Sequence, residues 1–228
     1  MSKYELTDET KELDGRTLHR IRAVRAVGNV KKEALGGWIE SEKNLSQDGD
    51  CWVSDEACVF GDAQVYGDAH VCDRAKVHGD AHVCDDALVY GHAKVYGHAK
   101  VCGNAKVCDR AKVCGNAHVC DDAEVYDCAK VRDDAWVLGY AHIRGDAYIG
   151  SIADYTMLRN SWSSGRWITY TRSNRMWSVG CFYGTGKQLI VKAYKDNKCK
   201  GKCYEATVRY VEQIEAIMAE EKKEENNG

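Results

Sequence analysis

The sequence contains no proline and only two phenylalanines among its 228 residues. No apolar run approaches the roughly 20 residues that a membrane-spanning helix needs, so no transmembrane segment is predicted. The first five residues contain no apolar stretch of the kind that a secretion signal requires, so we expect no signal peptide and a cytoplasmic location. The formal net charge of −3 excludes a protein whose bulk charge alone would attract nucleic acid or membrane.

Cysteine is abundant, with 12 residues, but its spacing matches neither zinc-finger nor redox motifs. No Cys-x-x-Cys pair occurs, and Cys199 with Cys203 lacks a second pair at zinc-finger spacing. We therefore expect neither a metal nor a cofactor. In a reducing compartment structural disulfides are not expected. Most of the cysteines recur at one phase of a repeat, where they serve as small apolar side chains.

Residues 49–150 divide into 17 consecutive hexapeptides. Each begins with Gly or Asp, carries Ala at the third position except at Cys51, and carries Val or Ile at the fifth. Because side chains alternate across a strand, the third and fifth positions face inward and the fourth and sixth face outward. Gly and Asp supply a turn in every unit, and three units close one triangular coil. The repeat therefore predicts an all-β solenoid whose stacked coils bury a narrow interior of Ala and Val.

Three segments follow from the limits of the repeat. Residues 1–48 are predicted to cap the open end of the solenoid, 49–153 to form the solenoid, and 154–228 to form a separate α+β module. In the cap we expect a strand at 18–27, and we expect Trp38 and Trp52 to pack at the rim.

In the C-terminal module we expect an antiparallel meander followed by two helices and a charged tail. The predicted strands cover 155–160, 166–172 and 176–183, the helices cover 187–195 and about 203–223, and the tail covers 220–228. The second helix carries one apolar stripe, which consists of Tyr204, Val208, Val211, Ile214 and Met218.

The segment Leu-Gly-Gly-Trp-Ile-Glu at 35–40, then Leu-Ser-Gln-Asp-Gly-Asp-Cys-Trp-Val at 45–53 and the Gly-Asp-Ala-x-Val units, resembles a bacterial and phage family of hexapeptide-repeat β-solenoids, sometimes labelled transferases. The resemblance covers about residues 1–150 and implies a left-handed parallel β-helix. Residues 167–186 are similar to C-terminal modules of phage proteins. Together these resemblances imply a phage or prophage product in the host cytoplasm, with a role against host defences. With the apolar stripe, they also imply a homo-oligomer, with a trimer favoured.

Hexapeptide-repeat acyltransferases resemble this chain in fold, but they usually need a loop that projects from the solenoid and a general-base histidine. Here the 17 units run without an insertion. The histidines at the fourth position, His70, His82, His118 and His142, are expected to face water. We therefore favour a non-enzymatic binding protein, with an acyltransferase and a structural or assembly protein as the alternatives.

One face of the predicted solenoid collects basic residues. Residues 18 apart share a face, and the two other faces carry an excess of acids. The basic face carries Arg74, Lys76, Lys94, Arg110, Lys112, Lys130 and Arg132. Its four lysines form an unbroken ladder at the fourth position, and His78, His92 and Tyr96 would add donors and a stacking ring. We expect this face to bind an extended polyanion or an acidic protein surface, with nucleic acid a weaker match.

A second candidate site lies in the C-terminal module and consists of Arg166, Tyr170, Arg172, Arg175 and Lys187. Guanidinium groups beside an aromatic ring suit a small nucleotide-like anion. Alternation along the strand places Tyr170 on the same side as Arg166 and Arg172, with Trp167 on the other side. This pattern predicts that Tyr170 faces the ligand and Trp167 packs inward. In the alternative interpretation, the aromatic residues only form the core of the module.

Overall fold

The computed structural model describes residues 2–225, with side chains up to residue 221. The last three residues of the predicted charged tail lie outside this range. The chain divides into two compact units, Met1–Asp154 and Tyr155–Gly228. Among the described residues, every helix is too short or too polar to cross a membrane.

The first unit begins with three strands that precede the solenoid. These are β1 (Tyr4–Leu13), β2 (Arg16–Ala23) and β3 (Leu35–Ile39), and a short 3-10 helix (Glu42–Asn44) follows them. β1 pairs antiparallel with β2, and β2 pairs antiparallel with β3. β3 then pairs parallel with the strand at Cys58–Val59, so the cap and the solenoid share one sheet.

Two-residue strands then recur every six residues. They are β4 to β20, at Trp52–Val53, Cys58–Val59, Gln64–Val65, His70–Val71, Lys76–Val77, His82–Val83, Leu88–Val89, Lys94–Val95, Lys100–Val101, Lys106–Val107, Lys112–Val113, His118–Val119, Glu124–Val125, Lys130–Val131, Trp136–Val137, His142–Ile143 and Tyr148–Ile149. Every third strand belongs to the same parallel sheet, which gives a β-solenoid of about 6 turns. The Ala and Val or Ile side chains at the third and fifth positions are fully buried. The structure thus confirms the predicted solenoid and its interior.

The first residue of every repeat unit has a positive φ, whether it is Gly or Asp. Gly79 shows why glycine suits this position, because a Cβ there would lie 3.0 Å from the backbone nitrogen of Gly97 in the next coil. Aspartate tolerates the same left-handed conformation better than most residues. It also contributes a bond between coils, since the Asp127 carboxylate accepts the N–H of Gly145 at 2.9 Å.

A buried lysine closes the first coil. Lys3 is 0 % exposed, and its ammonium donates to the carbonyl of Cys51 at 2.9 Å, with the carbonyls of Asp48 and Gly49 at 3.4 Å. Trp38 and Trp52 are buried, as expected for packing at the rim. The ammonium thus satisfies carbonyl groups that the end of a solenoid would otherwise leave unpaired.

One expectation about cysteine is wrong. Cys102 and Cys120 form a disulfide between consecutive coils, with their Cα atoms 4.7 Å apart, although only free thiols were expected from the sequence. The stacking of coils brings the sixth positions of successive coils within bonding distance. Cys84 occupies the same position one coil earlier and is a buried free thiol.

The second unit is an antiparallel meander followed by two helices. The strands are β21 (Tyr155–Arg159), β22 (Trp167–Thr171), β23 (Met176–Val179) and β24 (Phe182–Gly184), and the helices are α1 (Gly186–Asp196) and α2 (Lys198–Glu225). A turn at Gly180 divides the third predicted strand in two. A further 3-10 helix (Ile152–Asp154) ends the first unit.

The apolar stripe of α2 is used within the second unit. Tyr204, Val208 and Val211 are buried in one core with Ile168 and Trp177 of the meander. These three stripe residues already pack against the meander, so they supply no free surface for a partner copy. The apolar stripe therefore no longer supports a homo-oligomer. The oligomer stays a prediction that rests on the family resemblance.

Candidate functional site

The four lysines of the basic face stand in register on neighbouring strands. Lys76 pairs with Lys94, Lys94 with Lys112, and Lys112 with Lys130. Parallel strands lie about 4.8 Å apart, so the lysine stems form an evenly spaced row. We call these four residues the lysine ladder.

The lysine ladder has no counter-ions. Within residues 2–225, none of the four ammonium groups forms an ion pair or a hydrogen bond. Other lysines do find partners, since Lys106 lies 3.0 Å from Glu124 on another face and Lys43 lies 2.7 Å from Asp62. The ladder therefore presents four uncompensated positive charges to solvent.

The acids of the same face are engaged in the turns between coils. The Asp73 carboxylate accepts the N–H of Gly91 at 2.9 Å, and the Asp109 carboxylate accepts the N–H of Asp127 at 3.2 Å. These carboxylates satisfy backbone groups, and no ion pair forms between them and the ladder. Their fixed position explains how a face with many acids keeps an unpaired row of lysines.

Two columns flank the ladder. On one side lie Arg74, His92 and Arg110, which are all exposed; within the described chain neither arginine forms an ion pair. On the other side, the Phe60 ring stacks on His78 at 4.9 Å between ring centroids, and His78 stacks on Tyr96 at 5.1 Å. The His78 ring is therefore covered on both faces, by Phe60 and by Tyr96.

Arg132 differs from the other predicted basic residues of this face. Its guanidinium lies 3.3 Å from the Asp133 carboxylate and over the Tyr148 ring, and its Nε also contacts the Tyr148 hydroxyl. Arg132 is thus partly neutralised, and the uncompensated charge is concentrated in Arg74, Arg110 and the lysine ladder.

Burial lowers the pKa of His78, and the nearby charges of Lys76 and Lys94 lower it further, against an opposing contribution from Asp14. A neutral His78 removes one charge from the centre of the face. The pKa of His78 depends on the charges of Lys76 and Lys94, so a change in the charge of the lysine ladder should change this pKa.

In the C-terminal unit, the predicted roles of Tyr170 and Trp167 are reversed. Tyr170 is 4 % exposed, its ring lies 4.8 Å from that of Trp177, and its hydroxyl donates to Glu215 at 2.9 Å. Burial and Glu215 raise the pKa of this phenol. Trp167 is only half-buried, and the guanidinium of Arg159 lies over its ring. Tyr170 shares its strand face with Ile168, which is fully buried, so the hydrophobic core takes that face.

The other predicted ligand residues separate onto different surfaces. Arg175 and Lys187 line one cleft of about 580 Å³ together with the acidic Glu212 and Glu215. Arg172 lies 3.8 Å from Glu215. This cleft therefore mixes both signs of charge.

Arg166 lines a different cavity, together with Lys192 of α1 and Lys200 of α2. These two lysines were not predicted as site residues, because they lie on the helices and not on the strands or the loop before α1. The four-residue spacing of Lys192 and Asp196 could have indicated a shared face of α1, but only the fold brings that face to Arg166.

No protein-family model matches the chain, and no curated protein matches its sequence. Within the part of the chain that the structure describes, no three His, Cys, Asp or Glu side chains are arranged to hold a metal ion.

Proposed function

We propose that the protein is a non-enzymatic binding protein whose lysine ladder holds an acidic protein surface. One observation carries the proposal: four lysines stand in register without a counter-ion. Like charges about 5 Å apart repel one another by about 1 kcal/mol per pair in water. Carboxylates from a partner would relieve this repulsion, which makes the ladder a favourable surface for acidic side chains.

The flanking columns favour a protein over a nucleic acid. Recognition of single-stranded nucleic acid commonly uses aromatic faces on which bases stack. Here the His78 ring lies between Phe60 and Tyr96, so its two faces are unavailable to a base. What the face offers is charge at regular spacing on a rigid sheet, which matches carboxylates presented by a folded protein.

The resemblance of residues 35–53 supports two further parts of the proposal, a left-handed solenoid and a relation to phage hexapeptide-repeat proteins. A role against host defences would then follow if the acidic partner is a host protein. The trimer remains a prediction.

The test compares two variants that carry the same charge change at the same repeat position. Lys94→Glu alters the ladder, whereas Lys100→Glu alters the neighbouring sheet, where Lys100 lies between His82 and His118. The probe is poly-glutamate, with inorganic polyphosphate and single-stranded DNA measured in parallel, and binding is followed by calorimetry at two salt concentrations.

We expect the parent protein and Lys100→Glu to bind poly-glutamate, and Lys94→Glu to lose at least about tenfold in affinity, the equivalent of about 1.4 kcal/mol. Binding should weaken as salt screens the charges. Equal affinities of the two variants would overturn the proposal. A clear preference for DNA or polyphosphate would replace the acidic protein with a polyanion.

A further inference from the structure

A cavity of about 320 Å³ lies in the second unit, bounded by the loop at 163–166, the β23–β24 turn and the two helices. Its lining includes the apolar side chains of Phe182 and Leu189 and the ring of Tyr204. The volume is within the range of small-molecule sites, which begins at about 300 Å³. The cavity is therefore large enough for a small organic ligand.

The polar groups around this cavity carry an excess of positive charge. Arg166, Lys192 and Lys200 contribute three cations, and Asp196 contributes one carboxylate, which lies 3.6 Å from Lys200. Within residues 2–225, Arg166 and Lys192 have no carboxylate partner, and the Lys192 ammonium lies 5.4 Å from the centre of the Phe182 ring. The formal charge of the site therefore suits a ligand with two negative charges.

The loop that presents Ser163, Ser164 and Arg166 is fixed by a buried amide. Asn160 is 1 % exposed, and its side chain donates to the Tyr204 hydroxyl at 2.9 Å and accepts the N–H of Gly165 at 2.9 Å. Two serine hydroxyls thus stand at the cavity on a loop that is anchored in the core. Such pre-organisation lowers the entropy cost of binding.

Gly180 makes room for the Arg166 guanidinium. Gly180 has a φ of +54°, and a Cβ at this position would lie 3.0 Å from Nη1 of Arg166. Glycine therefore has two effects at this position. Its backbone adopts the positive φ of the turn, and the absence of a side chain leaves space for the arginine.

We propose that this cavity binds a small phosphate monoester. Arg166 would hold the phosphate through its forked donors, and Lys192 and Lys200 would balance the second negative charge. The serine hydroxyls can donate to the phosphate oxygens, and the organic group would pack on Phe182 and Leu189. This site is separate from the lysine ladder and does not depend on the function proposed for it.

The experiment measures binding of adenosine monophosphate, inorganic phosphate and adenosine to the full chain by calorimetry. The variants are Arg166→Gln and Lys192→Gln, and the matched control is Lys195→Gln, an exposed lysine of the same helix that does not line the cavity. Lys187→Gln tests the cleft that Lys187 lines together with Arg175 and Glu215. Arg166→Lys keeps the charge, and thermal unfolding of each variant shows whether it is folded.

We expect adenosine monophosphate to bind, adenosine to bind far more weakly, and Arg166→Gln and Lys192→Gln each to lose about tenfold or more in affinity. Lys195→Gln and the ladder variant Lys94→Glu should bind like the parent protein. The proposal is overturned if neither phosphate compound binds, if adenosine binds as well as its monophosphate, or if Lys187→Gln abolishes binding while Arg166→Gln retains it.

Discussion

The carboxylate of Asp73 accepts a hydrogen bond at 2.9 Å from the backbone N–H of Gly91, the residue in the same turn one coil later. Asp85 bonds Gly103 in the same way, at 3.0 Å. Each such aspartate stands at a left-handed position that glycine fills elsewhere. The solenoid thus uses two residue types at one position, one for conformational freedom and one for a bond between coils.

We expect Asp73→Ala to lower the free energy of unfolding by about 1–2 kcal/mol, because it removes the acceptor and because alanine tolerates a positive φ less well than aspartate. Asp73→Gly also loses the acceptor but relieves the conformational strain, so its stability should be at least about 1 kcal/mol higher than that of Asp73→Ala. Urea unfolding measures both. Equal stabilities of the two variants would show that the positive φ of this residue does not affect the free energy of unfolding.

The lysine ladder should lower the stability of the unbound protein. Lys94→Gln removes one charge between two others, so we expect the free energy of unfolding to rise by about 0.5 kcal/mol at low salt. The gain should disappear at high salt, where the repulsion is screened. Lys106→Gln is the control, because it breaks an ion pair with Glu124 and should give no gain. A salt-independent effect of Lys94→Gln would contradict this account.

The imidazole of His78 should titrate below its usual pKa of about 6.5, because burial and then the ladder charges disfavour its protonated form. The unfolded chain then takes up a proton more readily than the folded protein. The corresponding contribution to stability is therefore present above pH 6.5 and is lost as the pH falls towards the folded-state pKa. NMR titration of His78 checks the direction, and Lys94→Gln should raise the pKa. A His78 pKa at or above 6.5 in the parent protein would contradict the prediction.

Reduction of the Cys102–Cys120 bond should lower the free energy of unfolding by about 2–4 kcal/mol, as for other disulfides that close loops of this size. Denaturant unfolding with and without a reductant measures the difference. The double variant Cys102→Ser with Cys120→Ser should be insensitive to the reductant. If the parent protein is equally insensitive, the two cysteines are not bonded in solution.

The periodicity of the sequence predicted the inward positions of the solenoid because Ala and Val recur without interruption and a strand has only two sides. Other patterns predicted the C-terminal module, since turn residues separate the strands of the meander and apolar residues recur every three or four positions along the second helix. β1 was missed because Tyr4–Leu13 is rich in charged residues, and pairing with β2 rather than an apolar pattern determines that strand.

The C-terminal site was harder to predict from the sequence, for a specific physical reason. Alternation along β22 separates Tyr170 from Trp167, but it does not show which side faces the core. The burial of Ile168 in one core with Tyr204 and Val208 of α2 determines the orientation, and this core forms only when the helices pack on the meander. The placement of Lys192 and Lys200 at the same cavity as Arg166 depends on the same packing.

The buried ammonium of Lys3 has a consequence for assembly. A parallel solenoid can in principle grow into a fibre when the exposed backbone edge of one copy continues the ladder of another. At the first coil that edge is occupied within the chain, because Lys3 binds the carbonyls of Asp48, Gly49 and Cys51 and β3 pairs with β5. Head-to-tail polymerisation through this end would require the lysine to leave its carbonyl partners. The cap therefore opposes growth of a fibre from this end.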